Sequence, residues 1–477
     1  MPFTRTALRH SIKFFALLSL LSGCAAVGPI YQFPPPPVAE QWQAALPHNG
    51  ATLNLLAWWD RFNDPVLSKL LRASENNNPD LDLAIARLNE ARASLVVTHT
   101  GQQPSITGSG MVQRSGIKND TTTPTQWQQG LNLDASWELD LFGSVRRANE
   151  AAAARLEGRT HAWHGARVSL AAEVANKYLT YRACRQVTDA YERDVNSRQE
   201  TAKITAVAAK AGLSTPADAQ LAQASWADTT SQWLALQATC DIIVKSLVTL
   251  TGLPETELRQ ELQSGLNKIP SAPPFAVPTL PVALLSQRPD LAASERELAA
   301  ASADIGLAEA NRYPRLFLLG NLSVSAVQTA TTDLHMIPWS LGPSLTLPLL
   351  NGGSQTAKVD EAQARYQQAL ARYRKAIQTA VEEVETALVN LDSAARRTTM
   401  AHVATQGYAA YLLSAKTNWR AGSLSQLALE EARRAASQAE RAEIILQRDL
   451  ALYWVALYKA LGGGWEKDTV SLENSHE

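Results

Sequence analysis

The chain repeats itself. Pro79-Asp80-Leu81 recurs as Pro289-Asp290-Leu291, an offset of 210 residues (79 to 289). The same offset relates Pro104 to Pro314, Gly143-Ser144 to Gly353-Ser354, Arg155 to Arg365, Ala211-Gly212 to Ala421-Gly422, and Gly252 to Gly462. One such coincidence carries no weight, but this many anchors at one spacing across half the chain indicate internal duplication. Whatever the chain builds, it builds twice.

Each half follows one plan. An amphipathic helix comes first, Leu81 to about His99 and Leu291 to about Arg312, followed by two strands joined by a polar loop. A very long helix comes next, then an Ala-Gly break and a returning helix. Ser144 to Lys210 alone is 67 residues, roughly 100 Å of helix at 1.5 Å per residue, and Pro216 to Thr251 returns. In the second half nearly every residue from Ser354 to Leu461 is a good helix former, interrupted once at Ala421-Gly422-Ser423. Glycine after a last basic turn stops a helix, and Ser423 or Ser425 can start the next. Each break is therefore expected to be the tip of an antiparallel helical hairpin.

The strands carry a period of two. Trp127, Leu131, Leu133, Ala135, Trp137 and Leu139 alternate with Gln128, Asn132, Asp134, Ser136 and Glu138. Leu316, Leu318, Leu322, Val324 and Ala326 form a second apolar set, and Trp339, Leu341, Leu345, Leu347 and Leu349 another. The first strand, Ser105 to Arg114, is similar but weaker. Such alternation over about ten residues fits a membrane β-barrel strand, and equally a soluble sandwich with one buried face. Four strands have no partner sheet to cover their apolar face, and they cannot close a barrel of useful bore. Pairing their edges with other copies answers both needs.

The N-terminus reads as an export signal. Arg5, Arg9 and Lys13 precede an apolar run from Phe14 to Leu21 that is too short to span a bilayer. Leu21-Ser22-Gly23-Cys24 resembles the bacterial lipoprotein processing box, which implies cleavage before Cys24 and lipid on its sulfur. Pro34 to Pro37 then reads as a stiff spacer. Lys plus Arg total 44 against 45 for Asp plus Glu, so nothing suggests a nucleic-acid partner. No phosphate loop, zinc-spaced cysteine pair or nucleophile elbow is present, so no enzyme, cofactor or metal is expected. His161 and His164, with Glu157 one turn before, have the spacing of a weak metal site but read more simply as a solvated helix face.

The lipobox, "NPDLDLAIARLNEA", "RPDLAASERELAAA", "WELDLFGSVRRANEA", the two Ala-Gly tips and "LVTLTGLP" together resemble the TolC-like outer-membrane factors, in particular the lipidated, NodT-type branch serving multidrug efflux. The resemblance implies an α+β membrane protein. Four strands per copy of a homotrimer would make a twelve-stranded outer-membrane barrel, continued by a long periplasmic α-helical barrel. It further implies conduction of drugs or other toxic small molecules from a periplasmic adaptor and an inner-membrane transporter to the exterior. A non-conducting coiled-coil lipoprotein acting as a spacer or tether is the alternative.

The expected organisation is a signal peptide (1–23), a lipidated extended segment (24–52), a first repeat (53–265), a Pro-rich connection (266–288), a second repeat (289–464) and a tail (465–477). Within the family the second tip closes the channel, and its gate positions fall on Leu427 and Glu431. Their counterparts in the first hairpin are Ala217 and Leu221. Gly212, Leu213, Ser214, Trp419, Arg420, Gly422 and Ser423 are the expected tip and adaptor contacts. Trp419 stands where the family often has a tyrosine and cannot accept a hydrogen bond. Cys184 and Cys240 lie equally far before and after Gly212, at one height in an antiparallel hairpin, and are a candidate disulfide.

Overall fold

The computed structural model describes residues 26–34, 43–44, 58–118, 124–264, 268–272, 274–275 and 287–464. Cys24, the signal peptide, most of the connection at 266–288 and the tail at 465–477 lie outside the described residues. The chain divides into two compact units. The first comprises residues 1–35, 86–160 and 293–375, and the second residues 36–85, 161–292 and 376–477.

The first unit holds the sheet: β1 (Ser105–Gly116), β2 (Thr125–Leu139), β3 (Arg315–Thr329), β4 (Asp333–Met336) and β5 (Trp339–Thr346). All pairings are antiparallel, in the order β1-β2-β3, with β4 and β5 both on the far edge of β3. The expected fourth strand is β5, which ends at Thr346 rather than near Leu349, and the short β4 precedes it. Pro338 separates the two. It has no N–H to give the ladder, yet its carbonyl still accepts from Ser323 N at 2.9 Å, so the two pieces continue along one edge.

Directly paired residues point to the same face of an antiparallel sheet. The register Ile106↔Ala135↔Gly320↔Leu341 and Gly108↔Leu133↔Leu322↔Trp339 puts the apolar sets of all the long strands on one face. Leu131, Leu133, Leu322, Val324, Trp339, Leu341 and Leu345 are exposed there. The opposite face is mostly polar, with Phe317 and Leu319 among the exceptions: Asn321 donates to Asp134 at 2.7 Å and Ser323 to Asn132 at 2.5 Å.

Parts of four helices complete this unit: α2 (Pro79–Thr100), α3 (Ser144–Lys210), α6 (Pro289–Ala310) and α7 (Ser354–Arg420). Within it α6 lies closely on α3. Ala151 and Ala154 pack with Ala299, Ala300 and Ala303, while Arg155 pairs with Asp304 and Arg296 with Glu157. A Cβ on Gly158 would touch the Ala293 carbonyl at 3.4 Å, so small residues set the approach. The repeat-mate of α6 behaves differently. Leu81 is the only buried residue of α2; Ala84, Leu88, Ala91, Leu95 and Thr98 continue it as a part-buried stripe, and Leu83, Ile85, Val96 and Val97 are left exposed.

The second unit contains the main core. It includes a 3-10 turn (Trp59–Phe62), α1 (Pro65–Asn77), α4 (Pro216–Thr251), α5 (Glu255–Gln263) and α8 (Gln426–Ala460), with the remaining stretches of the long helices. Trp58 stacks on Tyr458 at 4.8 Å and meets Phe62 and Phe275 edge-on. The repeat anchors are explained here. Asn78 donates to the Leu250 carbonyl and Arg288, in the equivalent position, to the Ala460 carbonyl, so each Pro-Asp-Leu helix is tied to the end of its returning helix. Gly252 and Gly462 have φ of 66° and 90°. A Cβ on either would lie 2.7 Å from Asn77 or from Gln287. Only glycine satisfies both demands.

His164 is buried beside Trp163, their rings 4.8 Å apart, so the helix face carrying it is not solvated as expected. Among the described residues no group of His, Cys, Asp and Glu is placed to hold a metal.

Candidate functional site

Both tips sit in the second unit and close with the same turn. Gly212 N donates to Ala209 O and Leu213 N to Ala208 O, while Gly422 N donates to Trp419 O and Ser423 N to Asn418 O. This paired pattern requires a left-handed residue, supplied by Gly212 at φ +69° and Gly422 at φ +75°. The restarts differ. Thr215 and Asp218 form a reciprocal capping box ahead of α4, with Pro216 in its first turn. Ser425 caps α8 through Ala428 N, and Ser423 instead turns its hydroxyl to the Asn418 carbonyl.

Leu213 and Arg420 are exposed, and Ser214 turns its hydroxyl to Asp218. Trp419 is half-buried, packing with Leu412 and Leu424 against Ala415, Leu429 and Ala432. Leu427 is 59% exposed and lines a cavity of about 300 Å³ together with Leu221, Arg198, Glu430 and Arg434. Glu431, one turn after Leu427, is exposed and makes no ion pair with a described residue. The structure therefore presents Leu427 and Glu431 at the surface.

The neighbouring Glu430 was not singled out from the sequence. It accepts from Thr201 at 2.7 Å and from Arg433 at 2.5 Å, and so fastens α8 to α3. Below the first tip, Cys184 and Cys240 are joined in a disulfide with Cα atoms 5.8 Å apart.

Sequence reading also missed a strap in the first unit. Residues 26–34 run against it, with Val27 N bonded to Phe142 O. Arg147, largely buried, donates to the carbonyls of Val27 and Gly28. A Cβ on Gly28 would stand 2.3 Å from the Gly306 Cα. Tyr31 donates to Glu295 at 2.5 Å, and burial together with that carboxylate pushes its hydroxyl well above tyrosine's ordinary pKa. Phe33 meets Tyr373 edge-on. The one available signal was Gly306, an isolated glycine inside a helical pattern.

Comparison with known proteins agrees with this geometry. The model of the outer membrane efflux protein family matches residues 70–253 and 280–463. Nodulation protein T of Rhizobium leguminosarum bv. trifolii is 30% identical over 363 residues, covering 75% of this chain and 76% of that protein. Outer membrane protein OprJ of Pseudomonas aeruginosa is 30% identical over 461 residues, 94% of this chain and 95% of the relative. The solved outer-membrane channel OprN superposes with a TM-score of 0.81 at 29% identity, over 92% of this chain and all 100% of that one. A duplicated chain with one lipid-suited sheet face and two long helical hairpins, matched in both halves, belongs to the outer membrane efflux protein family.

Proposed function

We propose that this protein is the outer-membrane channel of a tripartite efflux system. Three copies contribute the four strand positions each to a twelve-stranded barrel, and their hairpins form the periplasmic duct. The tips, Gly212 to Ser214 and Trp419 to Ser423, receive a periplasmic adaptor that links the duct to an inner-membrane transporter. The transporter supplies the energy, and this protein supplies the exit for drugs or other toxic small molecules without chemistry of its own. Leu427 and Glu431 gate the periplasmic end, and Cys24 carries the lipid anchor.

The observation that carries this reading is the sheet. Its register gathers the apolar residues on one face, its polar face is hydrogen-bonded across strands, and β1 and β5 leave two edges to be paired. In hydrocarbon such edges must be closed. The helices support the same conclusion. α6 is packed closely on α3, whereas its repeat-mate α2 leaves Leu83, Ile85, Val96 and Val97 exposed, and the equivalent cover for that face is the α7 of a neighbouring copy. Head-to-tail pairing of this kind makes a ring when the rotation between copies closes, as it would for three. A non-conducting tether would have no use for a lipid-suited face.

Single-channel recording in planar bilayers tests the reading: steady conductance from purified trimers is expected, and its absence from well-assembled trimers would favour the tether. A deletion strain tested against a panel of toxic compounds identifies the cargo. Palmitate labelling that is equal in wild type and Cys24→Ala would remove the anchor.

A further inference from the structure

A cavity of about 370 Å³ opens in the second unit. It lies at the N-terminal end of α1, bounded by Arg61, Asp64, Arg182, Lys268 and the hydroxyl residues Ser264 and Ser271. Three of these side chains are cations and one is an acid. The acid is already committed: Asp64 Oδ1 accepts the Val66 and Leu67 amides at 2.9 and 3.0 Å, and Oδ2 accepts the Tyr178 hydroxyl at 2.8 Å.

Arg182 is the unusual member. It is 1% exposed and comes from the middle of α3. Its Nε donates to the Tyr178 hydroxyl at 2.8 Å. Its Nη2 stands 3.7 Å from Asp64, too far for a hydrogen bond. Its Nη1 is buried without a hydrogen-bond partner among the described residues. A guanidinium has five donors in a rigid fork, and this buried one keeps donors available to an acceptor in the cavity. Arg61 and Lys268, both exposed, stand at the same cavity and add like charge that a bound anion would relieve. The first-turn amides that a ligand could otherwise use are taken by Asp64 or missing at Pro65, so any anion here is held by side chains.

We propose that this cavity is an oxyanion site that takes one phosphate or carboxylate group, with Arg182 at its floor and Arg61 and Lys268 at its rim. The site does not depend on the channel reading. It belongs to the core that joins α1 to α3, and its occupancy stabilises that core.

The test uses the purified full chain. Equilibrium dialysis against labelled inorganic phosphate should show saturable binding, and thermal unfolding should shift upward in phosphate relative to chloride at matched ionic strength. Acetate as competitor separates the sources: displacement shows that carboxylates also enter, and no displacement restricts the site to phosphate. The rim variant R61A/K268A, which removes only exposed side chains, should bind phosphate about ten- to a hundredfold more weakly, as loss of charge-assisted hydrogen bonds implies. Arg182→Lys keeps the charge but loses the fork, and should weaken binding while the trimer still assembles. Absence of saturable binding in the wild type would overturn the proposal, as would binding that R61A/K268A leaves unchanged.

Discussion

At the first tip Leu213 and Leu221 stand exposed and the returning helix starts on a hydrogen-bonded box; at the second, the equivalent stretch folds over an apolar cluster. The turn itself is shared, so the difference lies in what flanks it. Trp419, Leu424 and Leu429 of the second tip correspond to Ala209, Ser214 and Ala219 of the first. The first hairpin is fastened instead by Cys184–Cys240, whose counterparts Ala394 and Leu450 only pack. Duplication supplied one turn twice. Substitution then made one tip a capped end on a stapled hairpin and the other a packed end carrying the surface pair Leu427 and Glu431.

The largest expected effect separates the tips by function. Replacing both Leu427 and Glu431 by alanine should raise single-channel conductance and admit large antibiotics such as vancomycin. In the proposed trimer, Glu431 carboxylates held close repel one another, which favours a seal that a partner can open. Alanine at Leu221 should leave conductance nearly unchanged, although Leu221 lines the same cavity as Leu427. Unchanged conductance in the double variant, with normal trimer assembly, would make the second tip a docking end only, and an equal rise on replacing Leu221 would erase the distinction between the tips.

Next in size is packing. Leu429 is 0% exposed, and Leu429→Ala should cost about 2–5 kcal/mol of local stability. Ala219, its counterpart, has no such side chain to lose. Hydrogen exchange should therefore quicken at residues 412–432 and not around residue 212. Removing the disulfide tests the other hairpin: Cys184→Ala with Cys240→Ala should cost about 2–4 kcal/mol, measured by unfolding with and without reductant. Conductance should be nearly unaffected, because the bond lies away from the tip. A reductant effect that persists in the double variant would mean that the bond is not what stabilises the hairpin.

What the sequence disclosed follows the same division. Strands and hairpins were legible because periods of 2 and 3.6 and a glycine stop are local signals, and the cysteine pair was legible because an antiparallel hairpin equates positions equidistant from its tip. The short β4 ahead of Pro338 was not legible, because four residues are too few to show a period. The strap at residues 26–34 was not legible. Its sequence has no period, and its fit depends on Arg147 and Gly306 far along the chain. Glu430 was hidden for a related reason. It looks like any helical glutamate until α3 brings Thr201 within 2.7 Å.

The smallest expected effect concerns acid. Asp218 is held below the ordinary aspartate pKa of 3.8, chiefly by the hydrogen bond from the Thr215 hydroxyl, then by the Thr215 amide and the Ser214 hydroxyl. A carboxylate whose folded pKa is depressed contributes its stability above the unfolded pKa and loses it as pH falls through the folded one. The first tip should therefore hold at neutral pH and begin to fray only below pH 3.8. The second tip has no acidic residue in the first turn of its returning helix and should not respond in that window. Thr215→Ala should produce a similar loosening at neutral pH, costing about 1 kcal/mol, and should flatten the acid response, since it removes the principal cause of the shift. Hydrogen exchange at residues 213–220, compared between pH 5 and pH 3 in wild type and variant, measures both effects. An acid response that survives Thr215→Ala would assign it to other carboxylates, and the two tips would then differ in packing alone.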